Sequence, residues 1–336
     1  MARPRSGQTT QDFGCAAARY EDLVVEAAWL YYHEELNQAD IAGRLGLSRA
    51  SVVNYLADAR ARGWVKLHLD TEVFRGHHLA RDLCAAYGLK DAIVVPDAPD
   101  DGGAGRDRVT RAAADWLPRL LSPGDYLGVS WGETVFRVAQ NVPRQDVPDV
   151  TVVQLLGSRP ATHGFAPETC TTILAQQLGA HCVNLHVPLL LSEQSICERL
   201  CAEPVVAQQL HAVATTNKTL LACGTCDDDA YVLRTGIIDA DELARCRARG
   251  AVGVICGRLI DATGAAVPAG MEERMIGVSL DQMRGKEMSL LVATGSGRAA
   301  PARAAILGGY ATHLATSVSI ARVLLATAPS QVKIHT

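Results

Sequence analysis

From Asp91 onward, short runs rich in β-branched residues alternate with amphipathic helical patterns. Glu133–Asn141 and Glu168–Leu178 have helical periodicity, and strands are predicted at AIVVP, DYLGVS, DVTVVQLLG, CVNLHVP, TLLACG, AVGVICGRLI and MSLLVATG. Strands joined by helices at this spacing form a mostly parallel sheet with helices on both faces. The sequence therefore predicts a doubly wound α/β domain, which we place at residues 91–330.

Ligands of such sheets bind at the carboxyl ends of the strands. Four glycine-containing turns follow apolar runs of this domain. Glycine lets the backbone approach a ligand closely, while hydroxyl and free N–H groups can hold an anion. One such turn is usually only a capped loop, but four at one sheet edge favour a pocket. The candidate ligand-binding residues are Gly128, Ser130, Gly132, Glu133, Thr134, Gly157, Ser158, Asp261, Gly295 and Arg298.

Residues 37–62 have the pattern of two short helices joined by a tight turn. Asn37 and Ser48 are suitable N-terminal caps for the two helices, and Gly46 suits the left-handed residue that ends the first. The apolar face of the second helix is predicted to comprise Val52, Val53, Leu56 and Ala59. This spacing predicts a helix-turn-helix, whose second helix can lie in the major groove of DNA.

The surroundings of these helices favour DNA as the partner. The segment Asp40–Lys66 contains five basic and two acidic residues, a local excess of positive charge that suits the phosphates of DNA. The alternating run Trp64–Leu69 could add a wing, and the preceding helix, Tyr20–Glu34, is expected to pack Tyr31 and Trp29 behind the motif. We predict that double-stranded operator DNA contacts Gln38, Arg44, Ser48, Arg49, Ser51, Asn54 and Tyr55, of which the last four face base edges.

Composition limits the remaining possibilities. A chain of 336 residues suits a short module plus a large domain, and we divide the first part into a disordered arm (1–18), the helix-turn-helix domain (19–70) and a linker with a connecting helix (71–90). The net charge of −4 shows that only the local basic excess, not the whole chain, indicates nucleic acid. No apolar run spans a membrane and no secretory signal begins the chain, so we predict a cytoplasmic protein with no membrane partner.

The ten cysteines are then expected to be reduced thiols. Cys223-Gly-Thr-Cys226 has the spacing of a redox motif or of half a zinc site, but no second pair with matching spacing follows. We therefore predict neither a metal nor a cofactor.

The N-terminal run resembles the SorC family of bacterial sugar-responsive transcription regulators. The matching stretches are Trp29–Tyr32, Gln38–Ala42, Leu45–Arg49 and Ala59–Gly63. The resemblance extends to about Ala328 and implies an effector domain with a sugar-isomerase-like fold, related to ribose-phosphate isomerases and glucosamine-phosphate deaminases. It further implies a sugar, polyol or sugar-phosphate effector, a phosphate held by the turn Gly128–Thr134, and assembly with itself as a dimer or tetramer.

Some positions depart from the family pattern. Leu156 stands where one branch of the family has a lysine that forms a Schiff base with its effector, so a covalent effector is not expected. Arg298 replaces the usual lysine and keeps the charge, and its forked donor suits a phosphate or a vicinal diol. Val254 and Ser317 stand where acidic residues are common. These departures favour a small polyol or a singly phosphorylated sugar.

Two other classes of function remain open at this point. A sugar-phosphate isomerase or deaminase with an N-terminal appendage needs a positioned acid and base, for which Asp227-Asp228-Asp229 is the one carboxylate cluster near a strand end. A protein-interaction module could use the helix-turn-helix for another chain. The preferred interpretation is a non-enzymatic regulator of a carbohydrate or polyol catabolic operon.

Overall fold

The computed structural model describes residues 9–65, 70–98, 104–159 and 165–329. The chain divides into two compact units, Met1–His68 and Leu69–Thr336. The described helices are α1 (Thr9–Tyr32), α2 (Gln38–Leu45), α3 (Arg49–Ala61), α4 (Thr71–Arg75), α5 (His78–Tyr87), α6 (Ala104–Trp116), α7 (Glu133–Asn141), α8 (Pro167–Leu178), α9 (Gln194–Ala202), α10 (Pro204–Thr215), α11 (Tyr231–Arg234), α12 (Ala240–Ala248), α13 (Leu280–Met283), α14 (Ala299–Leu307) and α15 (Val318–Ala326). The strands are β1 (Asp91–Val95), β2 (Tyr126–Val129), β3 (Thr151–Gln154), β4 (His181–Val183), β5 (Lys218–Gly224), β6 (Ala251–Ile255), β7 (Arg258–Asp261), β8 (Met288–Ala293) and β9 (His313–Ser317).

The first unit is a three-helix cluster around a small core. Val24, Ala27 and Leu30 of α1 pack with Ile41 of α2 and with the buried face of α3. Helix α1 begins at Thr9 and not at Tyr20, so residues 9–18 are helical and the prediction of a disordered arm is wrong there. The alanine run at 16–18 favours helix. Residues 1–8 lie outside the described part of the chain.

The prediction that Trp29 and Tyr31 of α1 are core residues is wrong, and the predicted wing is largely outside the described residues. Trp29 is 53% exposed and stacks on His33 one turn later, and Tyr31 is also exposed, so neither is a core residue. At 100° per residue Trp29 points away from the buried stripe of α1. Most of the wing predicted at Trp64–Leu69 lies outside the described residues.

The second unit is built on a parallel sheet with the strand order β1-β9-β8-β5-β2-β3-β4. Each neighbouring pair along this path is parallel. Alternating side chains of β8 point to opposite layers: Leu290 and Val292 pack towards α6, α7 and α8, whereas Leu291 and Ala293 pack towards α5, α14 and α15. The predicted doubly wound α/β architecture is confirmed.

One predicted strand is in fact two. The run AVGVICGRLI folds back on itself, so that β6 and β7 form an antiparallel hairpin. Cys256 and Gly257 make the turn with φ of 47° and 73°, the left-handed geometry of a tight hairpin. Strand β6 also pairs antiparallel with the carboxyl end of β5, opposite Cys223 and Gly224. The hairpin therefore lies beside the end of a central strand.

Candidate functional site

The helix-turn-helix forms through the predicted caps. The side-chain oxygen of Asn37 accepts hydrogen bonds from the backbone N–H of Ala39 (2.9 Å) and Asp40 (3.1 Å) at the start of α2. Gly46 ends α2 with φ of 66°, and the hydroxyl of Ser48 accepts from the N–H of Ser51 (3.0 Å) at the start of α3. The turn between the two helices is thus fixed by the left-handed conformation of Gly46 and by the hydrogen bond to the Ser48 side chain.

Helix α3 has one buried and one exposed face. Val52, Leu56 and Ala59 are buried, whereas Arg49 and Asn54 are exposed. The exposed face also carries Val53, so the prediction that Val53 belongs to the apolar face is wrong. The helix therefore presents both polar and apolar groups to its surroundings.

The placement of Tyr55 corrects the predicted set of DNA-facing residues. Its ring meets the Tyr20 ring edge-on with centroids 5.1 Å apart, and it packs against the core of the first unit. Tyr55 therefore lies on a different side of α3 from Asn54. Its partner on α1 could not be identified from the spacing of α3 alone.

The other predicted DNA contacts lie at the start of α2, in its last turn and at the start of α3. Ser48 and Arg44 are exposed, while Gln38 and Ser51 are half-buried. Arg44 forms an ion pair with Glu34 (3.0 Å), and the hydroxyls of Ser48 and Ser51 lie 2.9 Å apart.

In the second unit, a cavity of about 320 Å³ opens at the carboxyl ends of β2, β5 and β8. These three strands are neighbours in the sheet, so the turns that follow them meet at one place. Six predicted ligand-binding residues line the cavity: Ser130, Gly132, Glu133, Thr134, Gly295 and Arg298. The structure therefore brings the turns after β2 and β8 together at one cavity.

Four predicted ligand-binding residues do not line the cavity: Gly128, Gly157, Ser158 and Asp261. A side chain at Gly128 would clash with Leu155, 2.6 Å from its Cβ position, because this glycine lies inside β2. A Cβ at Gly157 would lie 2.7 Å from the backbone of Leu189. Both glycines serve close packing, not ligand approach.

Ser158 and Asp261 are likewise occupied by local structure. The hydroxyl of Ser158 donates to the Leu185 carbonyl (3.4 Å). The Asp261 carboxylate accepts from the N–H groups of Thr263 (2.8 Å) and Ala265 (2.9 Å), and these contacts, with the Thr263 hydroxyl foremost, lower its pKa. The sequence predicts β6 and β7 as one strand, with Asp261 in the binding turn that follows it. Asp261 is instead the last residue of β7, the second strand of the hairpin, and does not line the cavity.

The turns that line the cavity carry groups suited to an anion. Helices α7 and α14 both begin there, and neither N-terminus has a side-chain cap. Arg298 precedes α14 and donates through Nη1 to the Cys223 carbonyl (3.1 Å), which fixes its guanidinium beside the end of β5. Free N–H groups at helix N-termini, with a cation nearby, favour phosphate or carboxylate binding.

Ser130 is the most informative residue of the cavity. It is only 2% exposed, yet its hydroxyl has no hydrogen-bond partner among the described residues. A buried hydroxyl without a partner costs free energy, so native proteins satisfy almost all such groups. Because Ser130 lines the cavity, a polar ligand there would satisfy it.

Glu133 ties the turn after β2 to α6. Its carboxylate accepts from Arg106 (2.8 Å) and from Nε and Nη2 of Arg137 (3.0 and 2.8 Å). Partial burial raises the pKa of Glu133, but the two guanidinium groups outweigh it, so the pKa lies below its ordinary value. Arg106 also lines the cavity, and the prediction missed it because it lies on a different element, at the start of α6.

Further lining residues that the prediction missed come from the segment after β5 and, with Trp131, from the turn after β2. Trp131 and Tyr231 meet edge-on with ring centroids 5.2 Å apart, and the guanidinium of Arg234 lies 5.7 Å from the Tyr231 ring centroid. Burial raises the pKa of Tyr231, so its hydroxyl stays protonated at neutral pH. Thr225, Asp227 and Asp229 also line the cavity. Since TLLACG was predicted as a strand, the rule that ligands bind at strand ends could have found these residues.

The cysteines near the cavity do not have the properties of a redox pair. Burial raises the pKa of Cys223 to about 11 and that of Cys226 to about 12. Reactive redox cysteines have lowered pKa values, so these thiols are protonated at neutral pH and behave as core residues. Within the described residues, no group of acidic, histidine and cysteine side chains is arranged to hold a metal ion. None of the described helices combines the length and apolar character needed to cross a membrane.

Comparison with known proteins identifies the family. Residues 71–326 match the Sugar-bind family, a sugar-binding domain. The chain is 34% identical to the transcriptional regulator YjhU of Escherichia coli (91% of this chain, 95% of YjhU) and 31% identical to the deoxyribonucleoside regulator of Bacillus subtilis (91% and 97%). The full-length sorbitol operon regulator SorC of Klebsiella pneumoniae has a similar structure, with a TM-score of 0.73 and 25% identity over 90% of this chain and 98% of SorC. The chain therefore belongs to the SorC family of sugar-binding transcription regulators.

Proposed function

We propose that this regulator binds operator DNA through α3 and that a small sugar, polyol or sugar phosphate in the cavity controls its affinity for DNA. The buried hydroxyl of Ser130, which has no hydrogen-bond partner in the described part of the chain, is the single observation that best supports an effector site at the end of β2. An effector changes the affinity for DNA only if it binds the two conformations of the protein unequally.

The proposed DNA contacts follow from the exposed face of the helix-turn-helix. Arg49 and Asn54 face base edges, with Ser51 beside them, because α3 is the helix that would enter the major groove. Gln38 at the start of α2, Arg44 in its last turn and Ser48 just before α3 contact the DNA backbone. Tyr55 is left out of this set because it packs against Tyr20.

The cavity favours a phosphorylated sugar or a polyol. The N-termini of α7 and α14, Thr134, Arg298 and Arg106 surround one region suited to a phosphate. Asp227 and Asp229 offer acceptors to sugar hydroxyls, and Trp131 and Tyr231 offer aromatic surface. Leu156 is buried and has no amine, so the effector binds without a covalent bond.

We propose that the protein is not an enzyme. Asp228 is exposed and paired with Arg247 (2.8 Å), and Asp227 accepts from the Thr225 hydroxyl (2.6 Å). The described residues that line the cavity include no histidine or lysine to act with these carboxylates as acid and base. The named relatives are transcription regulators, in agreement with this proposal.

Two further features belong to the proposal. Helix-turn-helix regulators bind two-fold related half-sites, so the chain acts as a homo-oligomer. Its target, operator DNA, places it in the cytoplasm.

A thermal-shift screen of sugars, polyols and their phosphates tests the effector site. A ligand at 100 times its Kd should stabilise the protein by about 2.7 kcal/mol. Ser130→Ala should weaken this ligand about tenfold, since it removes one buried hydrogen bond. The unliganded variant should be no less stable than wild type, because an unsatisfied hydroxyl is removed.

Ser158→Ala is the matched control. It removes a serine hydroxyl outside the cavity lining, so the ligand should bind this variant as it binds wild type. Equal ligand affinity of wild type and Ser130→Ala would contradict the proposed site.

A further inference from the structure

Helix α3 exposes an apolar residue that the fold does not use. Val53 is 41% exposed, whereas its neighbour Val52 and Leu56, one turn from Val52, are 0% and 3% exposed. A β-branched side chain loses rotamer freedom in a helix, so alanine would suit an exposed helical position better. Neither burial nor helix propensity accounts for a valine at this position.

The neighbours of Val53 make its side chain prominent. Ala50 and Ala57 are exposed on the same side of α3 and carry only a methyl group each. Arg49 lies one turn before Val53, and Asn54 follows it. The branched side chain of Val53 therefore extends beyond its alanine neighbours, next to the two polar residues proposed to face bases.

The major groove offers one apolar group that distinguishes the bases. Thymine presents a C5 methyl group there that adenine, guanine and cytosine lack, and apolar side chains read thymine through this methyl. An exposed valine on a helix in the major groove matches this chemistry.

We propose that Val53 contacts the C5 methyl group of a thymine in each operator half-site and makes the regulator select a T·A pair there. This inference rests on the proposed function, in which α3 enters the major groove. It adds a residue that determines specificity and the chemical group that it recognises.

The test begins with duplexes selected by the wild-type protein from random-sequence DNA. Each thymine of a selected duplex is then replaced by deoxyuridine, which removes only the methyl group. At one position per half-site the wild-type protein should bind the deoxyuridine duplex about fourfold more weakly, the value of one buried methyl group. Val53→Ala should bind both duplexes equally.

Val25→Ala is the matched control, because Val25 is 53% exposed on α1, outside α3. This variant should keep the wild-type preference for thymine. The inference is overturned if wild type shows no preference at any selected thymine, or if Val53→Ala keeps the preference. Salt-dependent binding to duplex DNA would still support the proposed function in either case. If wild type selects no duplex at all, the proposed function fails and the inference fails with it.

Discussion

Glu133 is the first residue of α7, and its carboxylate holds the side chains of Arg106 and Arg137 at once. Arg137 in turn reaches Asp107 (2.7 Å), so the ion pairs join α6 to α7 beside the cavity. The acidic residue also suits the positive N-terminus of its own helix. A single side chain thus positions one wall of the proposed effector site.

Replacing Glu133 by glutamine should produce a pH-dependent loss of stability. A carboxyl whose pKa is lowered in the folded state stabilises the protein above its unfolded pKa of about 4.3, and this contribution disappears as the pH falls through the folded value. Glu133→Gln should therefore be less stable than wild type by about 1–2 kcal/mol at pH 7. In urea unfolding, the difference should shrink as the pH is lowered below about 4.

Glu26→Gln, at an exposed position of α1, is the control and should show no such difference at any pH. A constant difference between Glu133→Gln and wild type from neutral to acid pH would mean that the charge of Glu133 does not stabilise the fold.

At the scale of elements, the β6–β7 hairpin is held against α14 by close backbone packing. Gly264 follows β7 with φ of 83°, and a Cβ there would lie 2.3 Å from the Gly308 Cα and 2.5 Å from the Ala304 carbonyl oxygen. The carbonyl of Gly264 also accepts from the Tyr310 hydroxyl (2.8 Å). The position therefore requires glycine for both its conformation and its space.

Gly264→Ala should destabilise the protein by about 3 kcal/mol, because backbone atoms and not a flexible side chain would have to move. Gly270→Ala should change stability by less than about 0.5 kcal/mol, since nothing lies within 4 Å of its Cβ position. Urea unfolding of the two variants measures both values. Similar stabilities would show that the packing of the hairpin on α14 is looser than these distances indicate.

The elements were predictable where one pattern dominated. Glu133–Asn141 was predicted with the bounds that α7 has, because its apolar residues recur at strict helical spacing. The hairpin was missed because its turn is Cys256-Gly257 inside an apolar run, and cysteine is not among the residues that usually mark such turns. Of CVNLHVP, only the first part belongs to the sheet, as β4.

The candidate site was predictable only in part, because several of its residues come from elements that are far apart in the sequence. Ser130, Thr134 and Arg298 were found because each follows a strand within a glycine-containing turn. Tyr231 joins them because β5 lies between β8 and β2 in the sheet, and Arg106 joins them because the start of α6 is paired with Glu133 of α7. Neither arrangement can be read from local periodicity. The same holds for Tyr55, whose partner Tyr20 lies on another helix.

For the whole molecule, the proposed functions lie in separate units. The DNA-binding helices belong to Met1–His68 and the effector cavity to Leu69–Thr336. Regulation then requires that effector binding in the second unit change the DNA affinity of the first. Couplings of this kind typically change affinity by about 5- to 150-fold.

The most direct test measures the affinity for a selected duplex by fluorescence anisotropy, with and without the sugar or sugar phosphate found in the thermal-shift screen. We predict a change in Kd of at least about fivefold for wild type and for Ser158→Ala. At the same ligand concentration, chosen near the wild-type Kd for the ligand, Ser130→Ala should show a much smaller change. A ligand that stabilises the protein through Ser130 but leaves the affinity for DNA unchanged would contradict the account.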